Sequence, residues 1–163
     1  GWEDVKKVAK LVKSLLDEWK LEGYPKVSGA TGLHIYVPIL PKYSYKDVSK
    51  FVGLGASLIR GAFPDLVTLE RKVKDRTGLV YIDYPQNARG QTISAVYGVR
   101  ASNGAPVSMP VTWDELGEDS PVHTRSWNIK TALERARSVG DIFAPVLTSP
   151  QDIDHCLRLS PPG

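Results

Sequence analysis

One cysteine, Cys156, is all the thiol this chain has. It excludes an internal disulfide and fits a reducing compartment, so a cytoplasmic location is expected. No apolar run reaches the roughly 18 residues that a membrane span requires. The N-terminus shows no signal-peptide pattern, and there is no internal repeat or low-complexity segment. Charge of one sign is also scarce. Lys and Arg number 21 against 18 Asp and Glu, leaving +3, a weak lean toward anionic partners in which distribution matters more than the total. What is present is ordinary for a globular domain: 163 residues, 42% hydrophobic and 24% charged. That length builds one domain with a real core rather than two.

Apolar side chains at Val5, Val8, Ala9, Val12, Leu15, Leu16 and Trp19 recur at helical spacing over residues 3–19. Lys6, Lys7, Lys13 and Glu18 fill the opposite face, with Gly23 as the stop. The chain starts almost directly in this helix, so a preceding segment is expected. Ser44 and Asp47 form a capping box that opens a second helix through about Ile59. LVYIDY, residues 79–84, reads as a strand, PQNARGQT as a polar loop, and Tyr97 to Arg100 as a further strand. Thr112 and Glu115 cap a short helical turn. Residues 128–139 read as a helix with Ile129, Ala132, Leu133 and Ala136 inward, and the C-terminal SPPG as a frayed end. Helices separated by strands give an α+β expectation: a mixed, largely antiparallel sheet flanked by helices.

The chemistry concentrates in SGATGLHIYV, residues 28–37. Strand alternation puts Leu33, Ile35 and Val37 on one face and His34 and Tyr36 on the other. In the same way Val80 and Ile82 oppose Tyr81 and Asp83. If the two strands neighbour one another, His34 and Asp83 open onto one surface. Gly29 and Gly32 let backbone amides approach a ligand, and Ser28 adds a hydroxyl. Such a turn cradles phosphate oxygens, or is simply a tight hairpin turn. Asp83, set in a β-rich aromatic strand, needs a cation to offset its desolvation: a divalent metal, Arg76 or Arg89. Gln86, Asn87, Arg89 and Arg100 offer amides and guanidinium forks suited to phosphate or base edges. ERKVKDR supplies Arg71, Lys72, Lys74 and Arg76, either a solvated face or a strip contacting a phosphate backbone. Asp152, Asp154 and His155 have the composition of a metal site but read better as a helix start or surface cluster. His123 has no partner suggested by sequence.

SGATGLHIYVP, VYIDYPQNARGQT, YGVRA and PVTWDEL together resemble the polymerase domain of bacterial ATP-dependent DNA ligase D, within the archaeo-eukaryotic primase superfamily. The order and spacing of these blocks match over most of residues 1–120, and residues 121–163 form a helical tail. The resemblance implies two-metal nucleotidyl transfer from nucleoside triphosphates to a DNA or RNA 3′ end, filling broken ends in non-homologous end joining. It implies Asp83 as catalytic and metal-binding carboxylate. Ser28, Gly29, Gly32, His34, Gln86 and Arg100 become nucleotide-binding, and Arg71, Lys72, Lys74 and Arg76 nucleic-acid-binding. The implied cofactor is Mn²⁺ or Mg²⁺. The implied partners are a nucleoside triphosphate, DNA primer–template ends, a Ku-type end-binding protein, and ligase and phosphoesterase domains or proteins, without a membrane. The location is cytoplasmic and nucleoid-associated.

The sequence departs from that pattern twice. Thr31 stands where many members carry Lys or Arg. The Asp-x-Asp pair that supplies two further metal carboxylates is absent, so the chain is expected to be the C-terminal half of such a domain and inactive alone. The alternative is a non-catalytic nucleic-acid-binding module that kept the sheet and lost the metal site.

Overall fold

Val8, Ala9 and Leu16 of helix α1 (Trp2–Glu18) are buried, and with Val12 and Leu15 they run along three hydrophobic clusters. This helix is the spine of the molecule. The computed structural model describes residues 1–159, so the expected fraying of SPPG, residues 160–163, lies outside the described residues. After α1 comes a hairpin, β1 (Tyr24–Val27) and β2 (Leu33–Tyr36), paired antiparallel. Helix α2 (Tyr45–Ala62) follows, opened by the expected box: Ser44 Oγ accepts from Asp47 N and Asp47 Oδ2 accepts from Ser44 N. Next come β3 (Val67–Thr68) and β4 (Val80–Tyr81), a parallel pair.

Val27, Leu33 and Ile35 pack beside Ala9, while Val80 and Ile82 pack beside Val8 and Leu11. Both small sheets therefore turn their apolar alternate residues toward α1. They are separate sheets: β2 pairs with β1 and β4 with β3. The two ribbons sit side by side over one helix, and His34, Tyr36 and Tyr81 alternate away from it.

The residues 106–111 continue the antiparallel sheet on the far side of β1. Val27 N donates to Met109 O at 2.9 Å, and Val111 N to Pro25 O at 3.1 Å. Pro106 and Pro110 lack the N–H a regular ladder needs, so the pairing survives only as isolated bridges. The expected strand at Tyr97 to Arg100 is reduced for a related reason. It pairs with this segment through Tyr97 N to Ser108 O and Arg100 N to Pro106 O, but Tyr97 has φ 60° and breaks the extended run. The resulting architecture is α+β with mixed, mostly antiparallel pairing.

Three other expectations change. The strand of 79–84 shrinks to Val80–Tyr81, because Tyr84–Asn87 turns into a 3₁₀ helix just after Asp83. The helix of 128–139 begins only at α3 (Ala132–Val139). Asn128 Oδ1 accepts from Lys130 N and Thr131 N, an Asx turn that holds residues 128–131 out of the helix. Ile129 and Leu133 consequently lie 61% and 57% exposed rather than inward. Lys6, placed by periodicity on the wet face, is buried at 2% exposure. Its ammonium donates to Gly117 O beyond the 3₁₀ turn Asp114–Leu116 and pairs with Glu3. The short helices α4 (Pro145–Thr148) and α5 (Asp154–Leu157) close the chain. Ile153 and Cys156 fill the cluster around Leu16 and Phe51.

Candidate functional site

The turn between β1 and β2 is built on Ser28. Its Oγ accepts from Ala30 N at 3.1 Å and from Gly32 N at 3.0 Å, while Ser28 N donates to Gly32 O. Of the two glycine amides expected to approach a ligand, that of Gly32 is thus committed to the turn, and no partner holds that of Gly29 among the described residues. The Ser28 O–H has no acceptor among the described residues and is free to donate. Gly29 is needed twice over. Its φ is 70°, and a Cβ there would meet Arg100 Cγ at 2.8 Å and the Val107 backbone at 3.2 Å. Gly32 has neither constraint. The Arg100 side chain lies over this turn and lines an open recess with Ala30, Val99, Ala101 and Ser102. Its guanidinium has no hydrogen-bonding or ionic partner among the described residues.

Beneath the turn sits a residue that sequence reasoning missed. Lys26 lies opposite His34 in the hairpin register and is 0% exposed. Its Nζ donates to Ser108 Oγ at 2.6 Å and to Ser94 O at 2.8 Å, and lies 3.0 Å from His34 Nδ1. The Tyr36 ring centroid is 5.7 Å away. Among the described residues no carboxylate pairs with this ammonium. Burial, with the Arg100 guanidinium adding to it, pushes Lys26 down to about 8. Burial also dominates at His34. With Lys26 and Arg100 it holds the imidazole down to about 4, against the opposing pull of the Asp83 carboxylate. The Asp83 carboxylate thus acts on His34 through space although their strands do not pair. The signal for Lys26 was available: a turn over residues 28–32 forces position 26 opposite position 34.

Asp83 itself is exposed and stands at the entrance to the 3₁₀ helix, so the desolvation expected inside a strand does not arise. Tyr81 Oη donates to its Oδ1 at 3.2 Å, and Arg76 stacks 4.0 Å over the Tyr81 ring. Arg76 also donates to Glu70 O and Arg71 O, tying the basic segment to the Asp83 side. Arg71, Lys72 and Lys74 are exposed around the 3₁₀ turn Val73–Asp75. Gln86 Nε2 donates to Thr92 O, so its amide closes its own loop. Among the described residues no three His, Cys, Asp or Glu side chains converge where a metal ion could sit. Asp83 is a lone carboxylate there, and the described residues do not complete a two-metal site. The cluster at Asp152 and Asp154 is satisfied internally: Lys42 Nζ reaches both carboxylates, at 2.8 and 2.7 Å, and Tyr43 Oη, with one proton to donate, lies 2.9 Å from an oxygen of each.

The family model of the LigD primase-polymerase domain matches residues 1–143. The chain belongs to the LigD primase-polymerase domain family. Among its relatives, the Bifunctional non-homologous end joining protein LigD of Bacillus subtilis (strain 168) is 34% identical over 142 residues, covering 86% of this chain and 23% of the relative. The Multifunctional non-homologous end joining protein LigD of Mycolicibacterium smegmatis is 34% identical over 139 residues, 85% of this chain and 18% of the relative. The solved polymerase domain from Mycobacterium tuberculosis ligase D in complex with DNA superposes with a TM-score of 0.83 at 28% identity, over 91% of this chain and 50% of that one. This chain therefore spans half of a solved LigD polymerase domain and under a quarter of those curated LigD relatives. No described helix is long and apolar enough to cross a membrane.

Proposed function

We propose that this chain supplies the triphosphate cradle of a nucleotidyltransferase that extends DNA 3′ ends for end joining. The observation that carries this reading is the buried Lys26 ammonium, unpaired by any described carboxylate, beside the unpartnered Arg100 guanidinium and the free Ser28 hydroxyl. A buried cation of this kind is expensive unless an anion completes it. A triphosphate fits because several oxygens accept at once from Arg100, Ser28 and the outer nitrogen of His34. Asp83 lies on the same side, one carboxylate of a larger set whose other members these 163 residues do not provide. Divalent cations, Mn²⁺ or Mg²⁺, would supply charge neutralisation at the transferring phosphoryl group. The exposed Arg71, Lys72 and Lys74 are assigned to the phosphate backbone of the primer–template, and a Ku-type protein and the ligase and phosphoesterase activities to the same ends.

Titrating the chain with a nucleoside triphosphate and with the corresponding nucleoside tests the cradle. Binding of the triphosphate but not the nucleoside is expected, and equal affinity for both overturns the assignment. In a labelled primer-extension assay the chain alone is expected to add no nucleotide. Robust incorporation would show that its donor set suffices.

A further inference from the structure

The cradle has an inner layer that no ligand touches. Lys26 is fully buried, so its ammonium acts on a ligand only through its neighbours. Three groups surround it. Ser94 O is a carbonyl and can only accept. Ser108 Oγ sends its own proton to Val27 O at 2.9 Å, so toward Lys26 it also accepts. The third is His34 Nδ1 at 3.0 Å. An ammonium has three N–H donors and no lone pair, and two are committed to the serines. The third points at the imidazole.

We infer that Lys26 is a positioning residue whose ammonium, donating to His34 Nδ1, holds that imidazole neutral and protonated on Nε2. This deepens the triphosphate reading and rests on it: Nε2–H becomes the one ring donor His34 has left to offer a ligand. Without Lys26, a neutral imidazole divides between two tautomers, one of which presents a lone pair to phosphate and repels it. With Lys26 in place the repelling tautomer is excluded before any ligand arrives, and the buried charge polarises the ring so that Nε2–H donates more strongly. Depressed basicity at His34 agrees with this arrangement: burial lowers it most, and the nearby fixed cation further opposes a second ring proton. The Asp83 carboxylate is the neighbouring group that favours protonation of His34. Lys26 and Arg100 outweigh it.

The test is spectroscopic. Long-range proton–nitrogen correlation on the ¹⁵N-labelled chain reports which ring nitrogen of each histidine carries the proton. For His34 the expected pattern at neutral pH is a protonated Nε2 and an unprotonated Nδ1; a proton on Nδ1 in the native chain overturns the inference. In Lys26→Met the pattern is expected to relax toward a mixture of tautomers. Affinity for inorganic tripolyphosphate is expected to fall about tenfold, as for the loss of a charge-assisted hydrogen bond. A Lys26→Met variant with an unchanged His34 pattern also overturns it. If that substitution unfolds the chain, the native spectrum still decides. Tripolyphosphate added to the native chain is expected to shift the His34 Nε2 signal. No tripolyphosphate binding at all overturns the triphosphate reading itself, an outcome distinct from a wrong tautomer.

Discussion

Two lysines leave solvent almost completely, Lys6 at 2% exposure and Lys26 at 0%, yet they have different company. The Lys6 ammonium meets the Glu3 carboxylate at 2.9 Å and the carbonyls of Gly117 and Glu118. Its charge is answered within the chain, and its work is to bind α1 to the loop after the 3₁₀ turn. Lys26 meets only uncharged acceptors, with a second cation, Arg100, near enough to weaken its hold on its proton. Hydrogen bonds satisfy its donors but leave the charge unanswered. Burial alone therefore does not mark a functional cation. The missing counter-charge does, because the surrounding fold carries a desolvation penalty that only a ligand relieves.

The sharpest way to break this contrast is to give Lys26 an internal counter-charge of its own. Ser94 Oγ already lies 3.4 Å from its Nζ, so Ser94→Asp turns the site into an analogue of Lys6. Tripolyphosphate affinity is expected to fall about a hundredfold, since a like charge set against the ligand costs several kcal/mol. Calorimetric titration measures it, and unaltered affinity would show that the ligand does not sense Lys26. Arg100→Ala comes next. Removing a free guanidinium is expected to lower triphosphate affinity about tenfold or more. In an intact polymerase domain it should raise the nucleotide requirement while leaving DNA affinity unchanged; equal losses in both would move Arg100 to the duplex. A smaller effect is expected from pH. The unfolded imidazole of His34 takes up a proton near 6.5, whereas the folded one resists until about 4. Between these values the unfolded chain binds more protons, so the folded state loses stability as pH falls. After solvent screening of a partly exposed ring, that loss is on the order of 1–2 kcal/mol. Urea midpoints at about pH 7 and about pH 4.5, on either side of most of that window, read it. His34→Gln is expected to flatten the difference.

Much of this was legible in the sequence, because local rules carried it. The Ser44 box and the α1 stripe follow from capping and periodicity, which need no tertiary information. Alternation put His34 with Tyr36, opposite Leu33 and Ile35 that pack beside Ala9, whereas the pairing of Tyr81 with Asp83 outran a strand that ends at Tyr81. What escaped depended on groups distant in sequence. Periodicity assigned Lys6 to water because nothing local reveals the carbonyls of residues 117 and 118. YPKV went unrecognised as a strand, and with it Lys26, whose acceptors come from residues 94 and 108. Ile129 and Leu133 were turned inward by a pattern that the Asn128 turn interrupts. In the turn at Ser28 the glycines drew attention to free amides, while the serine hydroxyl engages that of Gly32 together with that of Ala30.

The densest charge in the sequence gives the weakest version of the contrast. Arg71, Lys72 and Lys74 are exposed, and Val73 among them is 75% exposed, so water already answers their charge. Unlike Lys26, they gain from an anion mainly by releasing counterions, a gain that salt erases. Lys72→Ala with Lys74→Ala is therefore expected to cost DNA affinity severalfold at moderate salt and to leave triphosphate binding untouched. The log–log salt slope of DNA binding should shrink by about 1.8, that is about 0.9 for each phosphate no longer neutralised. Filter binding over a range of salt concentrations measures both quantities. An unchanged slope would return this run to an ordinary solvated face, leaving Arg76, stacked on Tyr81 beside Asp83, as the one basic side chain of the segment held toward the site.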